Sequence, residues 1–142
     1  MSRISLDQAN TAVAAALAEG KTRGFKPLSV AVLDAGGHLI AFQRQDGSST
    51  LRPQIAVSKA SGALALGVSS RKIADMAADR PTFVGSLAAI APHGVTPAAG
   101  GVIVVDAEGL AIGAIGVTGD TSDNDEICGL AGLAAAGLIP QA

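Results

Sequence analysis

The first 24 residues carry apolar side chains at helical spacing. Residues 5–8 read Ser-Leu-Asp-Gln, the capping-box pattern in which a hydroxyl side chain precedes glutamine by three positions. The apolar positions that then recur every three or four residues are Leu6, Ala9, Val13, Ala16 and Leu17. Gly24 follows them, and glycine commonly ends a helix. The pattern predicts a first helix that begins after Ser5 and ends at Gly24.

Two short apolar runs follow and predict a β-hairpin. Residues 29–34 (SVAVLD) are rich in valine and apolar at successive positions, which is typical of a strand covered on both faces. Residues 38–44 (HLIAFQR) form a second strand-like run, and the Ala-Gly-Gly connection between the two favours an antiparallel hairpin. Alternation along the second strand would place four side chains on one face: His38, Ile40, Phe42 and Arg44.

The middle of the chain predicts helices. Pro53 suits the start of a helix, and a stripe of small residues follows that another backbone can approach closely: Ala56, Ala60, Ala63 and Gly67. Ser69 or Ser70 is predicted to cap a short third helix that runs through Ala78 and is closed by Pro81. Residues 82–91 have room for one more helical turn.

The last third predicts a second hairpin and a final helix. Residues 92–101 are a loop of turn formers, and residues 102–105 and 110–118 form two strands around Asp-Ala-Glu-Gly. Residues 122–125 begin a helix that ends at Gly137 and presents Ile127, Leu130, Ala131 and Ala134 on one face. The order of helix, hairpin, helices, hairpin and helix predicts one α+β domain over residues 1–142, with an antiparallel sheet flanked by helices.

Composition narrows the function classes. Hydrophobic residues are 49% of the 142 and charged residues 15%, which excludes general disorder. The net charge of −2 and the lack of tryptophan and tyrosine argue against nucleic acid as a partner. Because few charged groups are available to cover the surface, we expect a homo-oligomer. The lone cysteine and the absence of a leader-like or membrane-spanning apolar run predict a cytoplasmic protein with no membrane partner.

Several motif matches have simpler explanations. Gly113, Gly116 and Gly119 are spaced G-x-x-G-x-x-G rather than as a dinucleotide fingerprint, so close backbone packing explains them better. Residues 69–72 match S-x-x-K and residues 122–124 match S-D-N, but the third motif of a β-lactamase-type site is missing and helix caps explain both. The four acids within residues 120–126 lack calcium-loop spacing and suit the first turn of a helix.

Three side chains remain as candidates for ligand contact. His38 lies beside a predicted hairpin turn, as a turn residue or as a ligand, and His93 lies in a loop rich in glycine and proline. With one cysteine, the two histidines cannot complete a zinc site of the usual kind. Lys59 shares a predicted helix face with small apolar residues. Its ammonium group either reaches solvent along an apolar stem or binds an anion at the floor of a pocket.

The ordered set of segments resembles the GlcG/HbpS family, the haem-degrading domain proteins, which are related to the C-terminal domain of PduO-type corrinoid adenosyltransferases. The segments that carry the resemblance are residues 30–39 (VAVLDAGGHL), Arg44, residues 46–47, Ile55-Ala56, Lys59-Ala60, Ser69 or Ser70, Gly100-Gly101, residues 113–119 (GAIGVTG) and Asp125-Glu126. The chain departs from the family pattern at two places. The usual Gly-Gly-x-Pro is Gly100-Gly101-Val102-Ile103, and the usual serine before Gly119 is Thr118.

The resemblance implies a profilin-like fold and a homo-oligomer, an octamer in some members. It also implies binding or degradation of haem, or a role beside glycolate or diol metabolism. The absence of tyrosine removes one possible haem ligand. The candidate ligand-binding residues are His38, Arg44, Arg52, Lys59, His93, Gly100, Gly101, Thr118, Asp125 and Glu126, with no catalytic residue and no metal ligand assigned.

Three hypotheses about function follow. In the first, the protein binds haem or another tetrapyrrole, with His93 or His38 as the axial ligand. The propionates would then meet the cations Lys59, Arg44 and Arg52. In the second, it is a small catabolic enzyme for an organic acid. Arg44 or Arg52 would hold the carboxylate, and the acid/base group would be Asp125, Glu126 or His38. In the third, it is a non-catalytic accessory protein.

Overall fold

The computed structural model describes residues 2–142, which form five helices and one five-stranded antiparallel sheet. In chain order the elements are α1 (Leu6–Arg23), β1 (Ser29–Asp34), β2 (Leu39–Arg44), α2 (Arg52–Leu66), α3 (Ser70–Asp79), α4 (Pro81–Leu87), β3 (Gly101–Val105), β4 (Ala111–Thr118), α5 (Ser122–Ala135) and β5 (Ile139–Pro140). The strand order is β2-β1-β4-β3-β5, and every pairing is antiparallel. The predicted α+β arrangement of two hairpins with flanking helices is confirmed.

The sheet is covered on both faces, which explains why β1 is apolar at successive positions. Val30 and Val32 face a core that includes side chains of α1 and α5. Leu33 points the other way and packs on Ala60 of α2. Every residue of β1 except Asp34 is buried.

Glycines in β4 let helix α2 lie directly on the sheet backbone. A Cβ added to Gly116 would lie 2.0 Å from the carbonyl oxygen of Ala56 and 3.0 Å from the amide nitrogen of Ala60. Ala56 and Ala60 are fully buried in this contact, and Ala63 is fully buried against Ile103 and Val105. Close backbone packing is therefore confirmed for the β4 glycines and for Ala56 and Ala60 of the predicted stripe. Gly67 does not take part, because it ends α2 with a φ of 77° and no atom would lie within 4 Å of its Cβ.

A β-bulge in β2 overturns the predicted common face of His38, Ile40, Phe42 and Arg44. Ala41 lies opposite Val32 but Leu39 lies opposite Leu33, so β2 has one extra residue at this point. The extra residue reverses the alternation of side chains. As a result Ile40 packs against the core on the α1 side of the sheet. His38 precedes the strand and lies in the turn between β1 and β2.

The predicted apolar face of α5 points mostly away from the core. Ile127, Leu130 and Ala134 are exposed and Ala131 is only half-buried. The buried face holds mostly small residues instead: Asp125, Cys128, Gly129, Gly132 and Leu133. A Cβ on Gly132 would lie 2.4 Å from the carbonyl oxygen of Ala12, so the glycines turn inward to let α5 approach α1. The larger apolar side chains consequently face outward.

One helix boundary and one strand in the remaining chain differ from the prediction. Helix α3 ends at Asp79, and Pro81 begins α4 instead of closing α3, because proline is favoured in the first turn of a helix. Strand β5 was not predicted, since two residues are too short to show alternation. It pairs with β3 at the sheet edge. In the described part of the chain no helix is both long and apolar enough to cross a bilayer.

Burial should make the single thiol unreactive while the protein is folded. Cys128 is fully buried in α5, and desolvation raises its pKa to about 11. The thiolate is the reactive species, so we expect an aromatic disulfide reagent at about pH 8 to modify Cys128 only after unfolding. Absorbance of the released thiolate measures the reaction. Equal rates for folded and denaturant-unfolded protein would contradict the buried position.

Candidate functional site

The two histidines of the chain line one cleft of about 570 Å³. Its walls come from the β1–β2 turn, the first two turns of α2 and the loop before β3. The lining residues are Gly37, His38, Leu39, Pro53, Gln54, Val57 and His93. We call this the histidine cleft. Apart from the imidazoles and one amide, the side chains facing it are apolar, a composition typical of small-molecule sites of roughly 300–1,000 Å³.

The β1–β2 turn fixes the backbone on which His38 stands. The carboxylate of Asp34 accepts hydrogen bonds from the backbone N–H groups of Gly36 and His38, each at 2.9 Å. Gly37 adopts a positive φ of 83°, which a residue with a side chain rarely adopts. The bulge that follows returns Leu39 to the α2 side of the sheet, where it lines the cleft beside His38.

The loop that carries His93 is tied to α2. The hydroxyl of Thr96 donates to the hydroxyl of Ser58 at 2.8 Å. A Cβ on Gly62 would lie 3.5 Å from the Cα of Val95, an ordinary contact distance, so the loop lies against the helix here. These contacts hold His93 across the cleft opening beside Pro53, Gln54 and Val57.

His38 also contacts a carboxylate. Its Nδ1 lies 3.3 Å from Oδ1 of Asp34. The pKa of Asp34 is lowered, first by the hydrogen bond from the His38 backbone N–H, with further contributions from the Gly36 N–H and the His38 ring. Both side chains are substantially exposed, at 82% for His38 and 45% for Asp34.

A second group of candidates forms a buried cluster on the other side of α2. The ammonium group of Lys59 donates to the carbonyl oxygen of Val117 at 2.9 Å and to Oδ2 of Asp125 at 3.1 Å. Both side chains are at most 3% exposed. We call this pair the Lys59–Asp125 pair. Neither sequence interpretation of Lys59 fits, because its ammonium reaches neither solvent nor a pocket floor.

Burial acts on both members of the pair. Desolvation lowers the pKa of Lys59, and the attraction of Asp125 opposes this shift. Desolvation also raises the pKa of Asp125, opposed first by Lys59 and then by the N–H of Asp120, which donates to its other oxygen at 2.9 Å. Each charge therefore offsets part of the cost of burying the other.

The glycine pair Gly100-Gly101 and Thr118 surround this cluster. A Cβ on Gly100 would lie 2.9 Å from the Lys59 ammonium, and one on Gly101 would lie 2.2 Å from the Lys59 carbonyl oxygen. The Gly101 N–H donates to the hydroxyl of Ser70 at 2.7 Å. Thr118 is buried and accepts a hydrogen bond from the Arg52 guanidinium at 2.8 Å. These glycines make room for Lys59 and do not line the histidine cleft.

Arg44 and Glu126 lie apart from both groups. Arg44 ends β2 and borders a separate groove that includes Leu17, Lys21 and Phe25. Glu126 accepts two hydrogen bonds from the exposed Arg71, each at 3.1 Å. In residues 2–142 no group of three or more histidine, cysteine or acidic side chains could hold a metal ion.

The sequence interpretation missed Asp34 and the α2 wall of the histidine cleft. Asp34 could have been found, because it opens a D-A-x-G turn that the chain repeats at Asp106. Pro53, Gln54 and Val57 gave no local signal, since their place beside the histidines depends on how α2 crosses the sheet.

Residues 4–134 match the family model described as haem degrading protein HbpS-like. No curated protein sequence matches the chain. Among solved structures, crystalline HbpS is 30% identical, with a TM-score of 0.81 over 94% of this chain and 90% of that chain. Two further structures show the same fold. Protein ORFY of Klebsiella pneumoniae is 23% identical, with a TM-score of 0.85 over 96% of this chain and 93% of its own. A PduOC–haem complex is 20% identical, with a TM-score of 0.86 over 96% and 97%.

Proposed function

The chain belongs to the HbpS-like family of haem-degrading proteins, and on this premise we propose that it binds haem in the histidine cleft, where His38 or His93 would hold the iron. One observation carries the proposal. Both histidines of the chain, far apart in sequence, line the same cleft. Imidazole nitrogen is a common protein ligand of haem iron.

The residues present in the cleft fit a planar apolar ligand with a metal at its centre. Leu39, Pro53 and Val57 offer apolar contact, and the two imidazoles offer nitrogen donors. PduOC, a protein of the same fold, has been crystallised as a complex with haem. When bound, haem supplies a redox-active iron, while the residues of this chain bind it, orient it and limit the access of water.

None of the three cations first considered for the propionates lines the histidine cleft. Arg52 directly precedes Pro53 of the cleft wall, but its guanidinium donates to the hydroxyl of Thr118. Lys59 is held by Asp125, and Arg44 borders another groove. Asp125 and Glu126 are likewise held by Lys59 and Arg71, so no observation favours the acid/base roles that a catabolic enzyme would need.

Self-assembly forms part of the proposal. The outward face of α5 presents Ile127 and Leu130, which are 37% and 40% exposed. Apolar side chains of this size on one helix face support burial against another copy of the chain. Light scattering coupled to size-exclusion chromatography measures the oligomer directly, and a monomeric mass at working concentration would contradict this part.

A hemin titration of the purified protein tests haem binding. We expect a saturable shift of the Soret band, and a loss of affinity of at least about tenfold in His38→Ala and in His93→Ala, since even outer-sphere changes at metal sites cost about that much. Arg44→Ala is the control, because Arg44 borders a different groove. Absence of a saturable shift in the unmodified protein, or unchanged affinity in both histidine variants, would contradict the proposal.

A further inference from the structure

The two β-hairpins of the sheet have the same turn. Asp34 accepts from the N–H groups two and four residues later, at 2.9 Å each, and Asp106 does the same with Glu108 and Leu110. The backbone bonds match as well. In each turn the aspartate N–H donates to the carbonyl oxygen four residues later at 2.8 Å, and its carbonyl oxygen accepts from the N–H three residues later at 3.0 Å. The aspartate is therefore a requirement of the turn in both hairpins.

The two turns differ in what stands beside the aspartate. Where the second hairpin has the exposed Leu110, the first has His38, whose Nδ1 lies 3.3 Å from the Asp34 carboxylate. Where the second has Glu108, the first has Gly36. A Cβ on Gly36 would lie 2.9 Å from both Nδ1 and Cε1 of His38, so the glycine leaves the space that the ring occupies. The shared turn accounts for none of these differences.

We propose that Asp34 is a positioning residue for His38. Its carboxylate accepts the Nδ1–H of the ring, which leaves Nε2 unprotonated and available to a metal. A carboxylate in this position fixes the tautomer and the orientation of a ligating imidazole and increases its basicity. The metal role rests on the proposed binding of haem in the histidine cleft, whereas the tautomer is a property of the protein by itself.

The tautomer can be measured without haem. Long-range proton–nitrogen correlation spectra distinguish Nδ1–H from Nε2–H in neutral histidine, and His93→Ala assigns the two ring systems. We expect His38 to be mainly the Nδ1–H form, and Asp34→Asn to shift it toward Nε2–H. Asparagine keeps an oxygen for the turn but removes the charge. Asp106→Asn is the matched control and should leave the His38 spectrum unchanged.

Haem provides the second measurement. We expect Asp34→Asn to weaken ferric haem binding by about 10- to 100-fold, the usual cost of removing an outer-sphere partner of a metal ligand. Ferrous binding should weaken less. Each tenfold difference between the two losses raises the midpoint potential of the bound haem by about 59 mV. Asp106→Asn should change neither affinity.

The outcomes separate the positioning role from haem binding. If Asp34→Asn and Asp106→Asn behave alike in both measurements, Asp34 serves only the turn and the inference is overturned, even where His38→Ala abolishes haem binding. If the unmodified protein binds no haem, the proposed function fails. The tautomer shift in Asp34→Asn would then still establish the hydrogen bond, and its absence would overturn that as well.

Discussion

Lys59→Met is expected to lower the free energy of unfolding by about 3–5 kcal/mol, the usual result of removing one partner of a buried ion pair. The methionine fills a similar volume, so the loss comes from the Asp125 carboxylate, which is left buried without its cation. Far-UV circular dichroism during chemical denaturation measures it, because the chain has no tryptophan or tyrosine to report by fluorescence.

The effect of Lys59→Met should depend on pH. Without Lys59, the pKa of Asp125 rises further above its unfolded value of 3.8, because desolvation is no longer opposed by the lysine. Between these two pKa values the folded state then binds more protons than the unfolded state. Protonation of Asp125 therefore increases the free energy of unfolding of this variant as pH falls. The difference in the free energy of unfolding between Lys59→Met and the unmodified protein should therefore be smaller at about pH 4 than at about pH 7.

Two further variants isolate the pair. Asp125→Asn should also destabilise the protein. In the double variant, the free energy of unfolding should fall by less than the sum of the two single losses, with a difference of about 0.5–3 kcal/mol. Arg71→Met is the exposed counterpart, since it removes the ion pairs with Asp123 and Glu126 and should cost only about 0–1 kcal/mol. Strict additivity of Lys59→Met and Asp125→Asn would show that the pair does not interact in solution.

Gly116→Ala is expected to cost about 3 kcal/mol or more, at or above the upper end for overpacking. The added methyl group would meet the backbone of Ala56 and Ala60, which cannot rotate away as a side chain can. Helix α2 would have to move off the sheet, which would disturb both the Lys59–Asp125 pair and the α2 wall of the histidine cleft. Thermal unfolding followed by circular dichroism measures the change.

Gly85→Ala is the matched control for Gly116→Ala. Gly85 lies in α4, and a Cβ there would meet no atom within 4 Å. Since alanine is a better helix former, this variant should gain about 0.5–1 kcal/mol. A Gly116→Ala protein as stable as the unmodified one would contradict the close contact between α2 and β4.

The sequence predicted those features that depend only on residues close together in the chain. The capping box of α1, with Ser5 and Gln8 in reciprocal hydrogen bonds, was visible in four letters. The core face of α5 was not, because helical spacing alone favours large apolar residues and α1 instead receives the small Gly132. The bulge in β2 was equally invisible, since it depends on which residue of β1 lies opposite. Both features depend on contacts between elements.

The candidate site residues also include some that local sequence indicates and some that depend on how elements pack. His38 and His93 were singled out from turn chemistry alone, and the structure brings them to one cleft. Lys59 and Asp125 were both named, but not as partners, because they meet only where α5 and α2 approach the end of β4. A buried ion pair of this kind leaves no spacing signal, whereas the repeated D-A-x-G turn that carries Asp34 does.

The most direct test of haem binding in the histidine cleft is a crystal structure of the protein grown with hemin, with iron located by its anomalous scattering. We expect one iron site per chain in the histidine cleft, within bonding distance of a nitrogen of His38 or His93. Iron in the groove beside Leu17, Phe25 and Arg44, or at any place that neither histidine reaches, would contradict it.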